Sequence, residues 1–284
     1  MSDIAYVDGA FVPRAEARVS IFDRGFLFAD GIYEVCAVLD GRLVDNGPHL
    51  DRLARSVGAI ELPLPVSREQ IVEIERALVA RNGVSEGLVY MQVTRGAADR
   101  DFAFPENATP TLVAFSQKKT IVAAPAAQTG VSVISTDDIR WARRDIKSVA
   151  LLAQVLAKQA ARRAGAAEAF MTEDGFVTEG ASSTAFIVTA SNEIVTRPLS
   201  RALLPGCTRM AVLRLAAERG MAVVERAFTI AEAQSAAECF FTSATSFVMP
   251  VIAIDGRAVG NGQPGPATRR LREIYIETAR ATAE

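Results

Sequence analysis

Histidine and tryptophan each occur once in these 284 residues, and cysteine three times. The single histidine, His49, excludes multi-histidine metal sites and leaves any Ser-His-Asp or Cys-His arrangement dependent on one ring. That ring sits in "PHLDRL" at the head of an amphipathic run, where capping or packing is the simpler reading, so hydrolase chemistry is disfavoured. Cys36, Cys207 and Cys239 lie far apart with no paired spacing, against both a disulfide framework and a zinc ribbon, and read as buried thiols. Nowhere do about eighteen uncharged apolar residues follow one another, and "MSDIAYVDGAFVP" has no basic start before an apolar stretch. A soluble, cytoplasmic protein with no membrane partner is expected. The net charge is −2 without a basic stripe, so no nucleic-acid partner is expected either. Lysine is scarce too: Lys118, Lys119, Lys147 and Lys158 are the only four among thirty-one basic residues.

What is present is enough hydrophobic sequence, half of all residues, for one large or two medium domains. "IAYVDGAFVP" reads as two short strands about an Asp-Gly turn. "PHLDRLARSVGAI" and "SREQIVEIERALVARNG" have helical spacing, the second capped by Ser67 and stopped by Gly83. "GLVYMQVTRG" and "TPTLVAFS" read as strands. Periodicity is lost across 118–130, where Ala, Pro and Gly gather, which predicts an N-terminal domain over 1–118, a linker over 119–130 and a C-terminal domain over 131–284.

Beyond the linker "VSVIST" reads as a strand. "KSVALLAQVLAKQAARRAG" reads as a long helix, buried at its apolar start. Strands flank Asp174-Gly175, a helix over "PGCTRMAVLRLAAERG" ends at Gly220, "MAVVERAF" is a strand, and two strands flank the Ser/Thr turn of "ECFFTSATSFVMPVIAIDG". "PATRRLREIYIETARATA" is a final helix. "GNGQPG", with Gly260, Gly262 and Gly265, matches the dinucleotide-binding pattern in letters alone, since the roughly twenty residues after it cannot supply the strand and ribose-binding acid. It reads as a turn.

Lys147, in "RRDIKSVALL", stands where this chain would ordinarily write arginine. A primary amine can form a Schiff base with a carbonyl, whereas a guanidinium stays protonated and cannot. The plainer reading is a solvated charge before a helix. If the amine carries pyridoxal phosphate, the chain must also supply a phosphate cradle, an acid facing the pyridine nitrogen and a grip on the substrate carboxylate. "PGCTR" (205–209) opens a helix with a glycine and a threonine hydroxyl, as phosphate-binding helix starts do, and "TSATS" (242–246) is a second small-residue turn.

With "FDRGFLFADGIYEV" (22–35), "HLDRL" (49–53), "VTRG" with "FPE" (93–106), "DIRWARRDIKS" (138–148), "VTEGASST" (177–184), "LLPGCTR" (203–209) and "TSATSFVMPVIAIDG" (242–256), nearly the whole chain resembles the fold-type IV pyridoxal-phosphate enzymes, and among them the D-amino-acid transaminases. The resemblance implies a two-domain α/β architecture of the α+β type, a small N-terminal domain with a larger barrel-like C-terminal one, and a homodimer. It implies that Lys147 holds the cofactor and shuttles the substrate proton, that Glu179 pairs with the pyridine nitrogen, and that Arg52 binds phosphate. Cys207 and Thr208, with the Ala244–Thr245 turn, serve the phosphate too, and Leu204 packs on the ring. Tyr33, Arg100, Ser182 and Thr245 face the substrate. Two departures stand out: Phe102 replaces a histidine that partners the carboxylate-gripping arginine, and Ala244 replaces a threonine. The activity so implied is transfer of an amino group from a D-amino acid, D-alanine first, to 2-oxoglutarate by a ping-pong course. Branched-chain L-amino-acid and (R)-amine transaminases and aminodeoxychorismate lyase are alternatives on the same fold, and a non-catalytic binding protein is a distant one.

Overall fold

Asp8-Gly9 and Asp174-Gly175 each take positive φ (42° and 95°, 53° and 80°), the backbone a tight hairpin needs, and each joins two antiparallel strands. The computed structural model describes residues 3–284. The chain divides into two compact units: unit 1 runs to Thr120 and adds Ile146–Ala150 and Ala279–Glu284, and unit 2 comprises Ile121–Asp145 and Leu151–Thr278.

Unit 1 contains β1 (Ile4–Val7), β2 (Ala10–Pro13), α1 (Arg24–Phe28), β3 (Gly31–Leu39), β4 (Arg42–Val44), α2 (Asn46–Ala59), α3 (Arg68–Arg81), β5 (Glu86–Thr94) and β6 (Thr111–Lys118). Its six-stranded sheet has the order β2-β1-β6-β5-β3-β4, antiparallel throughout. Alternation along β5 sends Val89, Met91 and Val93 into a core with Leu50, Leu53 and Val57 of α2 and Ile71 and Leu78 of α3. Each such aliphatic side chain contributes about 1.5–3 kcal/mol on burial. Tyr90 and Gln92 point to the other face. α3 begins as expected: Ser67 Oγ accepts from Gln70 N–H, and Gln70 Oε1 accepts from Ser67 N–H at 2.8 Å.

The shortness of β4 has a consequence for the site. It covers β3 only at Ala37–Leu39, and the other end of that edge, Gly31–Tyr33, is paired by residues 147–149. Tyr33 N–H donates to Lys147 O and Val149 N–H to Gly31 O, both at 3.0 Å, with Ile32 opposite Ser148.

Unit 2 contains α4 (Pro125–Thr129), β7 (Val131–Asp137), α5 (Leu152–Arg163), β8 (Glu168–Glu173), β9 (Phe176–Gly180), β10 (Thr184–Val188), β11 (Ile194–Thr196), α6 (Cys207–Glu218), β12 (Val223–Glu225), α7 (Ile230–Ser235), β13 (Glu238–Ser243), β14 (Phe247–Ile254), β15 (Arg257–Ala258) and α8 (Pro266–Thr282) up to Thr278, the last turn of α8 being counted with unit 1. The sheet order is β12-β11-β10-β13-β14-β7-β8-β9, with β15 on β14, and β14-β7-β8 run parallel. Gly180 N–H donates to Ser183 O at 2.7 Å, so β9 turns back toward β10 and the sheet curls around Val133, Phe170, Ile187, Phe241 and Val251. Cross-strand Phe186 and Phe240 stack at 4.7 Å. The fold is mixed α/β.

One expectation is corrected. The run from Lys147 is not helical throughout, because 147–149 are spent as extended backbone on β3, and α5 begins only at Leu152. Nor is its apolar start buried: Leu152 is 71%, Val155 57% and Leu156 53% exposed. The helix packs through Ala157 and Ala161 on Ala169 and Met171 of β8. "GNGQPG" is a turn into α8, with Gly260 at φ 54° and no room for a side chain against Ala237 O. All three cysteines are buried and free. Among the described residues no helix is long and apolar enough to cross a membrane, and no cluster of metal-ligating side chains occurs.

Candidate active site

Of the residues singled out from sequence, Tyr33, Arg52, Arg100, Phe102 and Lys147 lie in unit 1. Glu179, Ser182, Leu204, Cys207, Thr208, Ala244 and Thr245 lie in unit 2.

Tyr33 and Lys147 are adjacent across the β3 edge, so their side chains leave on one face, and Lys147 Nζ stands 4.1 Å from the Tyr33 ring centroid. Tyr33 stacks on Tyr90 at 5.7 Å, and Tyr90 on Phe115 at 4.9 Å. Burial, with Tyr33 adding to it, pushes the Tyr90 phenol up. Ile146 belongs to the core of unit 1. The amine is thus carried on backbone pinned by sheet pairing.

The next residue along β3, Glu34, points to the opposite face and is 2% exposed. It accepts from Arg52 Nε at 2.7 Å, Arg52 Nη2 at 2.8 Å and His49 Nδ1 at 2.9 Å. Burial alone would raise its pKa, but Arg52 and then His49 reverse that and hold the carboxyl well below the usual range. His49 is therefore a buried partner of Glu34. Behind this group Asn46 Nδ2 donates to Glu75 at 3.0 Å, while Asn46 Oδ1 is buried without a hydrogen-bond partner.

Arg100 and Phe102 lie together on the segment after β5. Phe102 is 78% exposed and its ring is 5.3 Å from that of Phe28. The Arg100 guanidinium carbon is 5.2 Å from Phe28 and 5.6 Å from Phe102.

In unit 2 Glu179, on β9, is buried and accepts from Leu204 N–H at 3.2 Å. It also pairs with Arg140, whose Nε and Nη2 bind Asp138 at 2.9 and 2.6 Å. Thr178 Oγ1 donates to the same Asp138 at 2.6 Å, and Arg144 bridges it to Glu173. Burial pushes Glu179 up, opposed by Arg140 and the Leu204 N–H. Asp138 sits low because the bonds from Arg140 and Thr178 outweigh its burial.

Cys207 and Thr208 open α6, both buried, after Gly206, an N-cap whose lack of a side chain leaves the first N–H groups without a side-chain acceptor. The turn carrying Ala244 and Thr245 ends at Phe247, a buried aromatic at φ 56°. Arg272 Nη1 donates to the carbonyls on either side of Phe247, Ser246 O at 2.7 Å and Val248 O at 2.8 Å. At the head of that turn Thr242 Oγ1 is buried without a hydrogen-bond partner. Ser182 Oγ is committed to Glu168, which also takes Ser183 and Lys158.

Reasoning from residue types passes over Glu34, Arg140 and Asp138, which hold Arg52 and Glu179. The only signal for Glu34 is one charge inside the apolar strand "GIYEVCAVL". Nothing sets Arg140 apart from its arginine neighbours.

A family model described as amino-transferase class IV matches residues 31–254. A D-alanine aminotransferase of Bacillus licheniformis is 40% identical over 281 residues, covering 96% of this chain and 98% of its own length. One from Staphylococcus aureus (strain MSSA476) is 38% identical over 277 residues with the same coverage. The branched-chain amino acid aminotransferase of Escherichia coli superposes with a TM-score of 0.92 over 100% of this chain and 97% of its own, at 22% identity, a likeness of fold. The T.th. branched-chain amino acid aminotransferase, solved with pyridoxamine 5'-phosphate, gives a TM-score of 0.91 at 26% identity over 99% of this chain and 95% of its own. The match over most of the chain, with the near full-length relatives, places this chain among the class IV aminotransferases.

Proposed function

We propose that this aminotransferase uses pyridoxal phosphate to move the amino group of a D-amino acid, D-alanine foremost, to 2-oxoglutarate in two half-reactions. The observation that carries the chemistry is Lys147, a rare lysine whose amine is set over Tyr33 by the β3 edge. The D-specific part rests on the near full-length likeness to D-alanine aminotransferases.

The residues fit the cofactor. The start of α6, lacking a side-chain cap, and the unpartnered Thr242 hydroxyl suit a phosphate, and a buried carboxylate, Glu179, suits a protonated ring nitrogen. When bound, pyridoxal phosphate supplies a carbonyl for amines and a ring that accepts the electrons left as the Cα proton departs. Lys147 would hold the cofactor covalently and, as the free amine once the substrate amine has displaced it, would take and return that proton. Glu179 keeps the ring nitrogen protonated, with Arg140 fixing its orientation. Arg52, Cys207, Thr208, Ala244 and Thr245 hold the phosphate, Arg52 being oriented by Glu34, and Leu204 packs on the ring. Tyr33, Arg100, Phe102 and Ser182 shape the substrate side, Arg100 as the carboxylate grip. Residues 1–118 and 131–284 act as the two functional domains. The enzyme works as a homodimer, and three buried, unpaired cysteines suit the reducing cytoplasm.

A branched-chain L-amino-acid aminotransferase is the second reading, favoured by the 26% identical solved structures and by apolar Phe102 beside Arg100. The shared chemistry is tested by borohydride reduction of the cofactor-loaded protein followed by peptide mapping. The reduced cofactor should be found on the peptide containing Lys147. Label on Lys118, Lys119 or Lys158 instead would refute the assignment.

A further inference from the structure

Arg24, the first residue of α1, is 3% exposed and reaches across to a segment far away in sequence. Its Nη1 donates to Asp101 O at 2.6 Å, its Nη2 to Phe102 O at 3.3 Å, and its Nε to Asp30 Oδ2 at 2.8 Å. That same Asp30 oxygen accepts from Arg95 Nε at 2.8 Å. Arg95 is buried in turn, donating to Ile60 O at 2.7 Å and Glu61 O at 3.0 Å, with its guanidinium carbon 3.6 Å from the Phe104 ring centroid. One carboxylate thus joins two buried guanidinium groups, and each of these reaches the 96–104 segment.

The backbone is tied at the start of the segment as well. Arg24 N–H donates to Gly96 O at 2.9 Å and Ala98 N–H to Phe22 O at 3.3 Å. Gly96 itself is at φ +91°, and a Cβ there would meet Thr109 O at 1.9 Å, so the turn out of β5 has one course. The segment is held near Gly96, at residues 101 and 102, and at Phe104. Arg100 lies just before the middle anchor, with only the Phe28 and Phe102 rings near its guanidinium among the contacts described, and Arg24 also lies 4.7 Å from Phe28. The middle anchor decides where Arg100 can point.

We propose that Arg24, locked by Asp30 and Arg95, is a positioning residue that presents Arg100 to the substrate carboxylate. The proposal rests on the role given to Arg100 above. Arginine suits the task because its planar fork can serve two carbonyls and one carboxylate at once; a lysine ammonium in its place could keep the charge facing Asp30 but not the paired carbonyl bonds. A buried guanidinium is costly unless so satisfied, and Arg24 has a partner for each of its three nitrogens.

The test uses the cofactor-loaded enzyme with Arg24→Gln and Arg24→Lys, each alone and combined with Arg100→Ala, measuring KM and kcat for D-alanine and hydrogen exchange of the peptide covering 98–105. Arg24→Gln should raise KM on the order of tenfold with kcat within about twofold, since a displaced binding group is lost to ground and transition state alike. Exchange over 98–105 should quicken, Arg24→Lys should fall between, and neither change should add to the KM of Arg100→Ala. Faster exchange with unchanged KM, or a KM effect fully additive to that of Arg100→Ala, overturns the proposal while leaving Arg100 in its role. If Arg100→Ala alone leaves KM unchanged, the role of Arg100 fails and the proposal with it. Should the glutamine variant not fold, Arg24→Lys decides by the same comparison.

Discussion

Glu34 and Glu75 are both buried in unit 1, and they titrate in opposite directions. Glu34 has a guanidinium and an imidazole against it and stays ionised far below the usual range. Glu75 has an amide, Asn46, and burial pushes it up from 4.5 to about 7, with Glu34 and Glu284 adding to the rise. Because the folded state of Glu75 keeps its proton where the unfolded chain has released it, stability falls as pH rises from about 4.5 to about 7, and the loss is complete above that. Glu75→Gln keeps an acceptor for Asn46, offers a donor toward its orphaned Oδ1 and removes the titration. The variant should match the parent near pH 4 and exceed it by roughly 3 kcal/mol at pH 8 in urea denaturation. An equal difference at both pH values would contradict the burial account. At this scale the rarity of Lys147 was legible in composition. The partners of Arg52 and Glu179 were not, since a buried ion pair is made by tertiary packing and has no local period.

Among elements, the 147–149 segment is the instructive one. The hairpins at Asp8-Gly9 and Asp174-Gly175 and the Ser67 cap are local devices, and each was legible. Pairing of 147–149 with Gly31–Tyr33 joins residues more than a hundred apart and depends on β4 being too short to cover the edge, which no window of sequence contains. The same event explains why an apolar run with helical spacing starts its helix only at Leu152. Val149→Pro removes the N–H that meets Gly31 O while leaving side chains of the site untouched. It should lower kcat on the order of tenfold by loosening the placement of Lys147. An unchanged kcat would show that the Tyr33–Lys147 bond alone places the amine.

For the whole molecule, the exposed Ile21, Phe22, Phe26, Phe102 and Phe104 belong to two segments tied together by hydrogen bonds, and exposed apolar side chains gathered in this way mark interaction surfaces. The homodimer proposed above would use this surface: the parent should then sediment as a dimer, and Phe22→Asp combined with Phe26→Asp as a monomer. A variant that remains dimeric places the interface elsewhere. The likeness to D-alanine aminotransferases over nearly the whole chain, against branched-chain enzymes among its structural relatives, leaves one decisive property: the hand of the amino acid accepted. It is read from the absorbance of the cofactor-loaded protein mixed separately with D-alanine and with L-leucine, without an acceptor. Conversion to the aminated form of the cofactor by D-alanine alone is the expected result, and conversion by L-leucine alone would contradict it.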